Sequence, residues 1–406
     1  MNENKTVELL CPAGEYESLK YALAFGADAV YIAGKQFGMR TSSKNFDEDT
    51  MRKAVAETHS LGKKVYVTCN TVPKSKEIDK MPEYLQFLES IGTDALIIAD
   101  LGVLSLAKKY APNTDIHIST QAGIVNYESA NMFYNLGAKR VVLARELSFD
   151  DIADLRAKIP KELETEAFVH GAMCVSFSGR CLISYYMTGR DANRGDCAQP
   201  CRWKYRLYEE NREGQYFPVE QDDSGTFLYN SRDMCMIDYI PELIKSGINS
   251  LKIEGRAKSS YYSAVTANAY RHAIDDYLRD KENYHLSPWI KDELNKISHR
   301  EYSTGFYLGG EPGQVLENGG YIRNYTVVAI SEGSQNGVVN IIQKNKFCVG
   351  DELDVLPPGG IPFTVIVKSL TNEHGESVES APHAMEKLKL GCGRDIPAGS
   401  LLRMKI

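Results

Sequence analysis

Apolar and polar residues follow a repeating pattern along the N-terminal two-thirds of the chain. Each copy has a helical segment that ends at a glycine, then two or three small or polar residues, then a short run rich in Val, Ile and Leu. Clear copies begin at Gly26, Gly62, Gly92, Gly137 and Gly247. A glycine just past a helix takes the left-handed conformation that ends it, and a short branched apolar run is typical of a buried parallel strand. The pattern therefore predicts alternating helices and parallel strands.

The apolar runs predict about eight strands. They lie near residues 7–11, 29–33, 64–69, 95–99, 115–119, 140–144, 165–169 and 250–254. Eight strand–helix units favour a (β/α)8 TIM-like barrel, and an open doubly wound sheet is the alternative. The glycine-rich dinucleotide fingerprint does not follow the first strand, which weakens that alternative.

The same pattern predicts how the chain divides. Residues 1–280 are expected to form the barrel, which carries a cysteine-rich insertion (166–203) after strand seven. Residues 281–320 are expected to form a helical and turn-rich bridge. Residues 321–406 alternate in the manner of strands, with Gly and Pro at the turns, which predicts a small C-terminal β-barrel domain.

Composition and charge restrict the class of protein. The 406 residues are 43% hydrophobic and 25% charged, as in an ordinary soluble globular protein. No stretch approaches the ~20 apolar residues of a membrane span, and the N-terminus lacks a signal-peptide pattern. We therefore expect a cytoplasmic protein with no membrane partner. The net charge of −7 argues against coating nucleic acid through the overall field, although a local basic patch remains compatible with it.

Four of the nine cysteines lie close together, at Cys174, Cys181, Cys197 and Cys201. Cytosolic thiols rarely form lasting disulfides, so thiols gathered on loops indicate a metal or iron–sulfur site. Zinc is the alternative, although only Cys197 and Cys201 approach the paired spacing of structural zinc sites. Because these loops follow the seventh strand, we expect them at the barrel mouth, where active sites of this fold lie.

The segments around these cysteines resemble a known family. The resemblance rests on residues 166–184, 190–203, 230–233 and 252–256, and it extends to 8–14 and 26–31. Together these resemble the signature of the U32 peptidase family, the collagenase-like proteins, and within it most closely the bacterial tRNA hydroxylation proteins. The resemblance implies hydroxylation of the wobble uridine of tRNA to 5-hydroxyuridine, with prephenate as co-substrate. It also implies a [4Fe–4S] cluster held by Cys174, Cys181, Cys197 and Cys201, with Cys235 as a fifth candidate ligand.

Polar residues near the strand ends are candidates for the chemistry. For catalysis these are His170, Asp100, Gln121, Lys252 and Glu254. A dicarboxylate such as prephenate needs cationic side chains, for which the candidates are Arg145, Arg232 and Arg256. RNA phosphates and a stacked base could be held by Arg180, Arg202 and Trp203. Structural roles remain open for each, and we expect Lys252 and Glu254 to point into the barrel as a buried ion pair. The C-terminal domain offers a second basic surface through Lys344, Lys346, Lys387 and Lys389.

Other functions remain open alternatives. A peptidase is suggested by the family name, but the chain lacks the H-E-x-x-H and G-x-S-x-G motifs, and a thiol that ligates iron cannot also attack a peptide. Hydroxylation of ribosomal RNA or of a quinone precursor is a second alternative. A non-enzymatic subunit that acts only with a partner protein is a third, and a homo-oligomer is compatible with all of these.

Overall fold

The computed structural model describes residues 7–39, 44–174, 176–177, 180–203, 221–222, 225–226, 231–310, 313 and 321–406. Eight parallel strands form a closed barrel: β1 (Glu8–Pro12), β2 (Ala29–Ile32), β3 (Lys64–Cys69), β4 (Ala95–Ile98), β5 (Asp115–Ile118), β6 (Arg140–Val142), β7 (Glu164–Ala172) and β11 (Ser250–Ile253). Each pairs with the next in chain order, and β11 pairs with both β1 and β7, which closes the ring. The predicted (β/α)8 barrel is confirmed.

Eleven α-helices lie among the described residues, and most of them pack apolar faces against the barrel, whereas α3 buries no side chain. They are α1 (Tyr16–Ala24), α2 (Glu48–Ser60), α3 (Ser75–Ile78), α4 (Met81–Ser90), α5 (Leu101–Tyr110), α6 (Tyr127–Asn135), α7 (Phe149–Lys158), α8 (Ile183–Thr188), α9 (Ile240–Lys245), α10 (Ser260–Arg279) and α11 (Pro288–Leu294). Several begin at a side chain that accepts a hydrogen bond from the first turn, as Ser148 does from the Asp151 amide. α10 is the longest and packs against α1 and β1.

β7 is longer than its neighbours and leaves the barrel wall at its end. Its last residues pair antiparallel with β10 (Asp233–Cys235), which also pairs with β12 (Tyr302–Ser303). The register between β7 and β11 shifts after Phe168. Lys252 pairs with Phe168, but the next residue, Ile253, pairs with His170. This bulge reverses the side-chain alternation. Phe168 therefore faces the barrel interior, whereas His170 packs outward against tyrosines of α10.

A layer of charged side chains fills the lower part of the barrel. Arg140 lies at its centre and contacts three carboxylates, Glu8 at 2.6 Å, Glu164 at 2.8 Å and Glu166 at 3.0 Å. Lys252 contacts the other oxygen of Glu166 at 2.7 Å. The sequence predicted Lys252 to pair with Glu254, and this is wrong. Glu166 is its partner because the two side chains face each other across neighbouring strands, whereas Glu254 lies beyond the end of β11.

The C-terminal residues form an antiparallel domain. Its strands are β13 (Tyr325–Gln335), β14 (Val338–Gln343), β15 (Phe347–Cys348), β16 (Glu352–Leu356), β17 (Phe363–Ile366), β18 (Ser369–Thr371), β19 (Ser377–Val378), β20 (Ser380–Ala381), β21 (Lys387–Gly391) and β22 (Leu401–Lys405). Eight of these form one curved sheet in the order β17-β16-β22-β13-β14-β21-β18-β19, and β15 pairs with β20. The sheet is a half-barrel, since within the described residues its two edge strands do not pair with each other.

Buried charges join this domain to the barrel. Arg403 of β22 is fully buried and contacts Glu293 of α11 at 2.6 Å and Asp354 of β16 at 3.0 Å. Lys296 also forms ion pairs with both carboxylates. Two short strands, β8 (Gln221–Asp222) and β9 (Gly225–Thr226), pair with each other. In the parts of the chain described above, no helix has the length and apolar character needed to cross a membrane.

Candidate active site at the barrel mouth

A cavity of about 150 Å3 lies at the carboxyl ends of the barrel strands, and the cysteine-rich segment forms one of its walls. Cys174, Cys181, Cys197 and Cys201 all line it. Cys174 lies two residues after the end of β7, and Cys201 lies in a short 3-10 helix (Pro200–Arg202). The structure thus brings together four thiols that are up to 27 residues apart in the sequence (201 − 174).

Local hydrogen bonds fix the shape of this wall. The amide of Asn193 donates to the Cys181 carbonyl at 3.0 Å, and the Ala198 amide donates to the Ser184 hydroxyl at 2.9 Å. Arg194 forms an ion pair with Glu77 beside α3, which ties the segment to the barrel. Positive φ angles at Gly189 and Gly195 allow the turns between the cysteines.

The donor set consists of four thiols that line one cavity, and thiolates are the ligands of iron–sulfur clusters and of structural zinc sites. Within the described residues, no three His, Cys, Asp or Glu side chains form a group that could hold one metal ion. In a [4Fe–4S] cluster each of four thiolates binds one iron. Four thiols that line one cavity therefore fit the donor set of such a cluster.

Cys235 lies elsewhere. It belongs to β10 and lines a separate pocket with Tyr302 and Lys291. The Tyr270 hydroxyl is 4.0 Å from its sulfur, and burial raises the pKa of this thiol to about 11. Cys235 therefore remains a protonated thiol at neutral pH, away from the other four.

Two arginines, Arg145 and Arg256, line the cavity. The Arg145 guanidinium donates to the Ala172 carbonyl at 3.1 Å and lies 4.3 Å from the Phe168 ring centre. Its Nε is buried and has no hydrogen-bond partner among the described residues. A buried donor without a partner is costly, so a ligand oxygen at this position would be strongly favoured.

Arg256 is buried on another side of the cavity. It is 3% exposed and donates to the Thr68 hydroxyl at 2.9 Å. Gly14 packs on its backbone so closely that a Cβ would lie 1.9 Å from the Arg256 carbonyl oxygen. Gly171 approaches the Glu254 carbonyl in the same manner, at 2.3 Å. These two glycines let the Glu254–Arg256 segment sit against the barrel mouth.

A chain of amides presents a hydrogen-bond donor to the cavity. The backbone amide of Met39 donates to Asn70 Oδ1 at 3.2 Å, which fixes the orientation of that amide. Asn70 Nδ2 then donates to Gln121 Oε1 at 2.8 Å, and Ser119 donates to the same oxygen at 3.0 Å. The Gln121 oxygen thereby accepts two hydrogen bonds, so its Nε2 group is the part left to donate to a ligand.

The remaining predicted residues lie outside this cavity. Asp100 caps α5 by accepting from the Val103 amide at 3.0 Å, and Arg232 pairs with Glu301 at 3.1 Å. Arg180 is exposed and donates to the Gln121 carbonyl at 2.7 Å. Trp203 is 42% exposed at the end of the cysteine segment. Arg202 lies in the 3-10 helix, and its side chain is outside the described part of the structure.

His170 is also removed from the cavity. It is 1% exposed, its Nδ1 is 3.5 Å from the Tyr270 hydroxyl, and the rings of Tyr262 and Tyr302 surround it. Burial, followed by the charges of His299 and Lys258, lowers the pKa of His170 to about 3. A proton-transfer role at the cavity does not agree with this placement.

The cavity also contains residues that strand-end positions did not identify. Tyr31, Thr68 and Ser119 line it from within or beside the strands. Tyr31 donates to the Ile253 carbonyl at 2.9 Å and lies 3.4 Å from Glu254, while Lys252 sits over its ring at 4.6 Å. Tyr31 and Thr68 each lie one residue before the end of a strand, and Ser119 lies one residue after β5. Polar residues on either side of a strand end were therefore the available signal, since alternate residues point inward.

A TIM barrel with four thiols, two arginines and an oriented amide around one mouth cavity has the layout of a barrel enzyme site. The chain belongs to peptidase family U32: residues 14–316 match the family model, and residues 323–403 match the model of its C-terminal domain.

Three relatives show how far this similarity extends. The chain is 34% identical over 403 residues to the tRNA hydroxylation protein P1 of Bacillus subtilis, covering 98% of this chain and 95% of that protein. It is 42% identical over 377 residues to a tRNA hydroxylation protein P of Helicobacter pylori, covering 90% and 86%. It is 37% identical over 316 residues to the 23S rRNA 5-hydroxycytidine synthase of Escherichia coli, covering 76% of this chain and 46% of that protein.

Proposed function

We propose that this chain is an RNA-modifying enzyme that hydroxylates a uridine of tRNA to 5-hydroxyuridine, with prephenate as co-substrate. The observation that carries the proposal is the convergence of four cysteines and two arginines on one cavity. Similarity along nearly the whole chain to proteins named for tRNA hydroxylation supports the choice of substrate. In this proposal Cys174, Cys181, Cys197 and Cys201 hold a [4Fe–4S] cluster, which supplies iron–sulfur redox or substrate-binding chemistry at the mouth.

The arginines are suited to a small dicarboxylate such as prephenate. Arg145 offers a buried Nε without a partner, and Arg256 is held in place by Thr68. Guanidinium groups bind carboxylates with paired, charge-assisted hydrogen bonds, which neutral donors cannot match. Lys252 already forms an ion pair with Glu166, so we assign it a structural role at the base of the cavity rather than a role in binding the anion.

The side-chain amide of Gln121 favours uracil over cytosine as the target base. Its oriented Nε2 is a donor, which suits the O4 acceptor of a uracil; the exocyclic amino group of cytosine would oppose it with a second donor. The target base has to leave its stack to reach a cavity of this size, as in other enzymes that modify bases. Gln121 is thereby assigned to base recognition rather than to proton transfer.

The test is nucleoside analysis of tRNA from a bacterial strain that lacks its own 5-hydroxyuridine and expresses this chain. We expect 5-hydroxyuridine with the wild type and a loss of at least tenfold with Gln121→Glu, whose carboxylate would oppose the O4 oxygen. Arg232→Gln is the matched control outside the cavity and should retain the modification. Absence of 5-hydroxyuridine with the wild-type chain, in cells that load it with iron, would overturn the proposal.

The cluster is tested on anaerobically purified protein. We expect about four irons and four sulfides per chain. Cys174→Ala should remove most of both, while Cys348→Ala, in the C-terminal domain, should leave them unchanged. Zinc in place of iron would contradict the assignment.

Hydroxylation of a ribosomal cytidine is the second candidate, because of the similarity to the rRNA hydroxycytidine synthase. The chain spans less than half of that protein, and the donor of Gln121 suits a uracil better. 5-Hydroxycytidine in rRNA without 5-hydroxyuridine in tRNA would favour this candidate. Among the described residues, a cysteine peptidase has no supporting geometry at His170, because this side chain faces tyrosines of α10 rather than a cysteine of the cavity.

A further inference from the structure

A cleft of about 820 Å3 runs between the barrel mouth and the C-terminal domain. Its barrel side is formed by α1, the start of α10 and the segment after β11, and its other side by β13, β14 and the C-terminus. Ala172, Gln199, Glu254 and Ala257 line both this cleft and the cysteine cavity. The two spaces therefore adjoin, and a chain lying in the cleft could extend one residue into the cavity.

The cleft gathers cations that have no carboxylate partner. Lys258, Arg323 and Lys344 line it, and none of the three forms an ion pair with any residue that the structure describes. Lys258 instead donates to the Ser298 carbonyl at 3.2 Å, and Arg323 donates to the Ser298 hydroxyl at 3.3 Å. Glu17 and Glu254 also line the cleft, but neither forms an ion pair with these cations. In a chain of net charge −7, three cations without ion-pair partners among the described residues on one concave surface indicate an anionic ligand.

Aromatic rings lie beside these cations. Tyr321 and Tyr325 line the cleft and are both partly exposed. Lys258 lies 3.9 Å from the centre of the Tyr321 ring, and Arg300 contacts the same ring from 4.7 Å. Cationic side chains that alternate with partly exposed rings are what proteins use to hold single-stranded nucleic acid, through phosphates and stacked bases.

We propose that this cleft binds the single-stranded loop of the RNA substrate, with phosphates on Lys258, Arg323 and Lys344 and a base on Tyr321 or Tyr325. The target nucleotide then passes Gln199 and Glu254 into the cysteine cavity. This inference rests on the proposed function and adds the route by which the RNA reaches the site. Of the four C-terminal lysines expected to form a basic surface, Lys344 is the one that lines the cleft.

The experiment is a titration of a labelled anticodon stem–loop with the full-length protein at several salt concentrations. Each phosphate contact contributes about 0.7–0.9 to the slope of log K against log salt. We expect the double variant Arg323→Gln/Lys344→Gln to reduce this slope by about 1.5 and to raise Kd about tenfold. The control is Lys346→Gln/Lys389→Gln, which removes the same charge from exposed residues of the same domain outside the cleft.

The outcomes separate this inference from the proposed function. An unchanged slope and Kd in the cleft variant would overturn the inference, and continued tRNA hydroxylation by that variant would leave the proposed function standing. A cleft-dependent slope without any 5-hydroxyuridine in tRNA would support the inference and overturn the proposed function. Loss of a co-purifying protein rather than of RNA affinity would overturn the inference in favour of a protein segment.

Discussion

The buried ion pair of Lys252 and Glu166 predicts that removing Glu166 lowers the free energy of unfolding more than removing Lys252 does. Glu166 is fully buried and holds two cations, Lys252 at 2.7 Å and Arg140 at 3.0 Å. If Glu166 is replaced, Arg140 still forms ion pairs with Glu8 and Glu164. Glu166→Gln therefore leaves Lys252 as a buried charge without a carboxylate partner among the described residues, whereas Lys252→Met leaves Glu166 paired with Arg140.

The magnitudes follow from this difference. Leaving one charge of a buried pair without a partner costs about 3–5 kcal/mol, and we expect Glu166→Gln in that range. Lys252→Met removes one charge-assisted hydrogen bond and should cost about 1.5–3 kcal/mol. The double variant should cost less than the sum of the two by about 1–3 kcal/mol, because the residues share one interaction.

The assay is urea unfolding followed by circular dichroism, with the free energy of unfolding taken from the midpoint and slope. Lys158→Met is the control, since its pair with Asp154 is 47% and 59% exposed and should contribute at most about 0.5 kcal/mol. If Glu166→Gln costs no more than Lys252→Met, or if the two costs simply add, Glu166 is not the shared partner that this reasoning requires.

Two further predictions concern the site and its surroundings. Arg145→Lys keeps the charge but loses the buried Nε, so prephenate affinity measured by calorimetry should fall about 10–100-fold, while Arg232→Lys should leave it unchanged; equal losses in both variants would contradict a role for Arg145. Because the pKa of His170 is about 3 in the folded chain and near 6.5 when unfolded, the unfolded state binds the extra proton. The free energy of unfolding should therefore fall as pH decreases from 6.5 towards 3, by about 1.4 kcal/mol per pH unit from this residue. His170→Gln should flatten that dependence and His374→Gln, which is exposed, should not; acid unfolding curves that are identical in both variants would refute the assignment.

Much of the fold could be predicted because its signals are local. Each barrel strand is a short apolar run after a glycine, so the eight strands and the position of the cysteine segment after β7 followed directly from the sequence. The roles of single polar residues were harder to predict. Asp100 at a strand end has the same local pattern whether it caps a helix or binds a substrate, and only its contact with Val103 distinguishes the two.

Features that depend on distant segments were beyond the sequence pattern. The bulge that turns His170 away from the mouth arises from the register between β7 and β11, which are separated by about 80 residues. The partner of Lys252 is likewise set by that register. The cleft cations lie just before α10, just before β13 and just after β14, so their convergence is a result of tertiary packing.

The pairing of β10 with the end of β7 has a consequence for how the protein is assembled. Asp233 lies opposite Ala172 and Met234 opposite Gly171, so the chain leaves and re-enters the barrel at adjacent points. Backbone hydrogen bonds between β7 and β10 hold together the two ends of the segment that connects these strands. The loss of entropy on bringing those ends together is therefore offset by strand pairing rather than by the cysteines. Barrel closure therefore does not depend on the proposed cluster. In the proposed function, the scaffold can form first and receive iron and sulfide afterwards, because the four cysteines already line a common cavity.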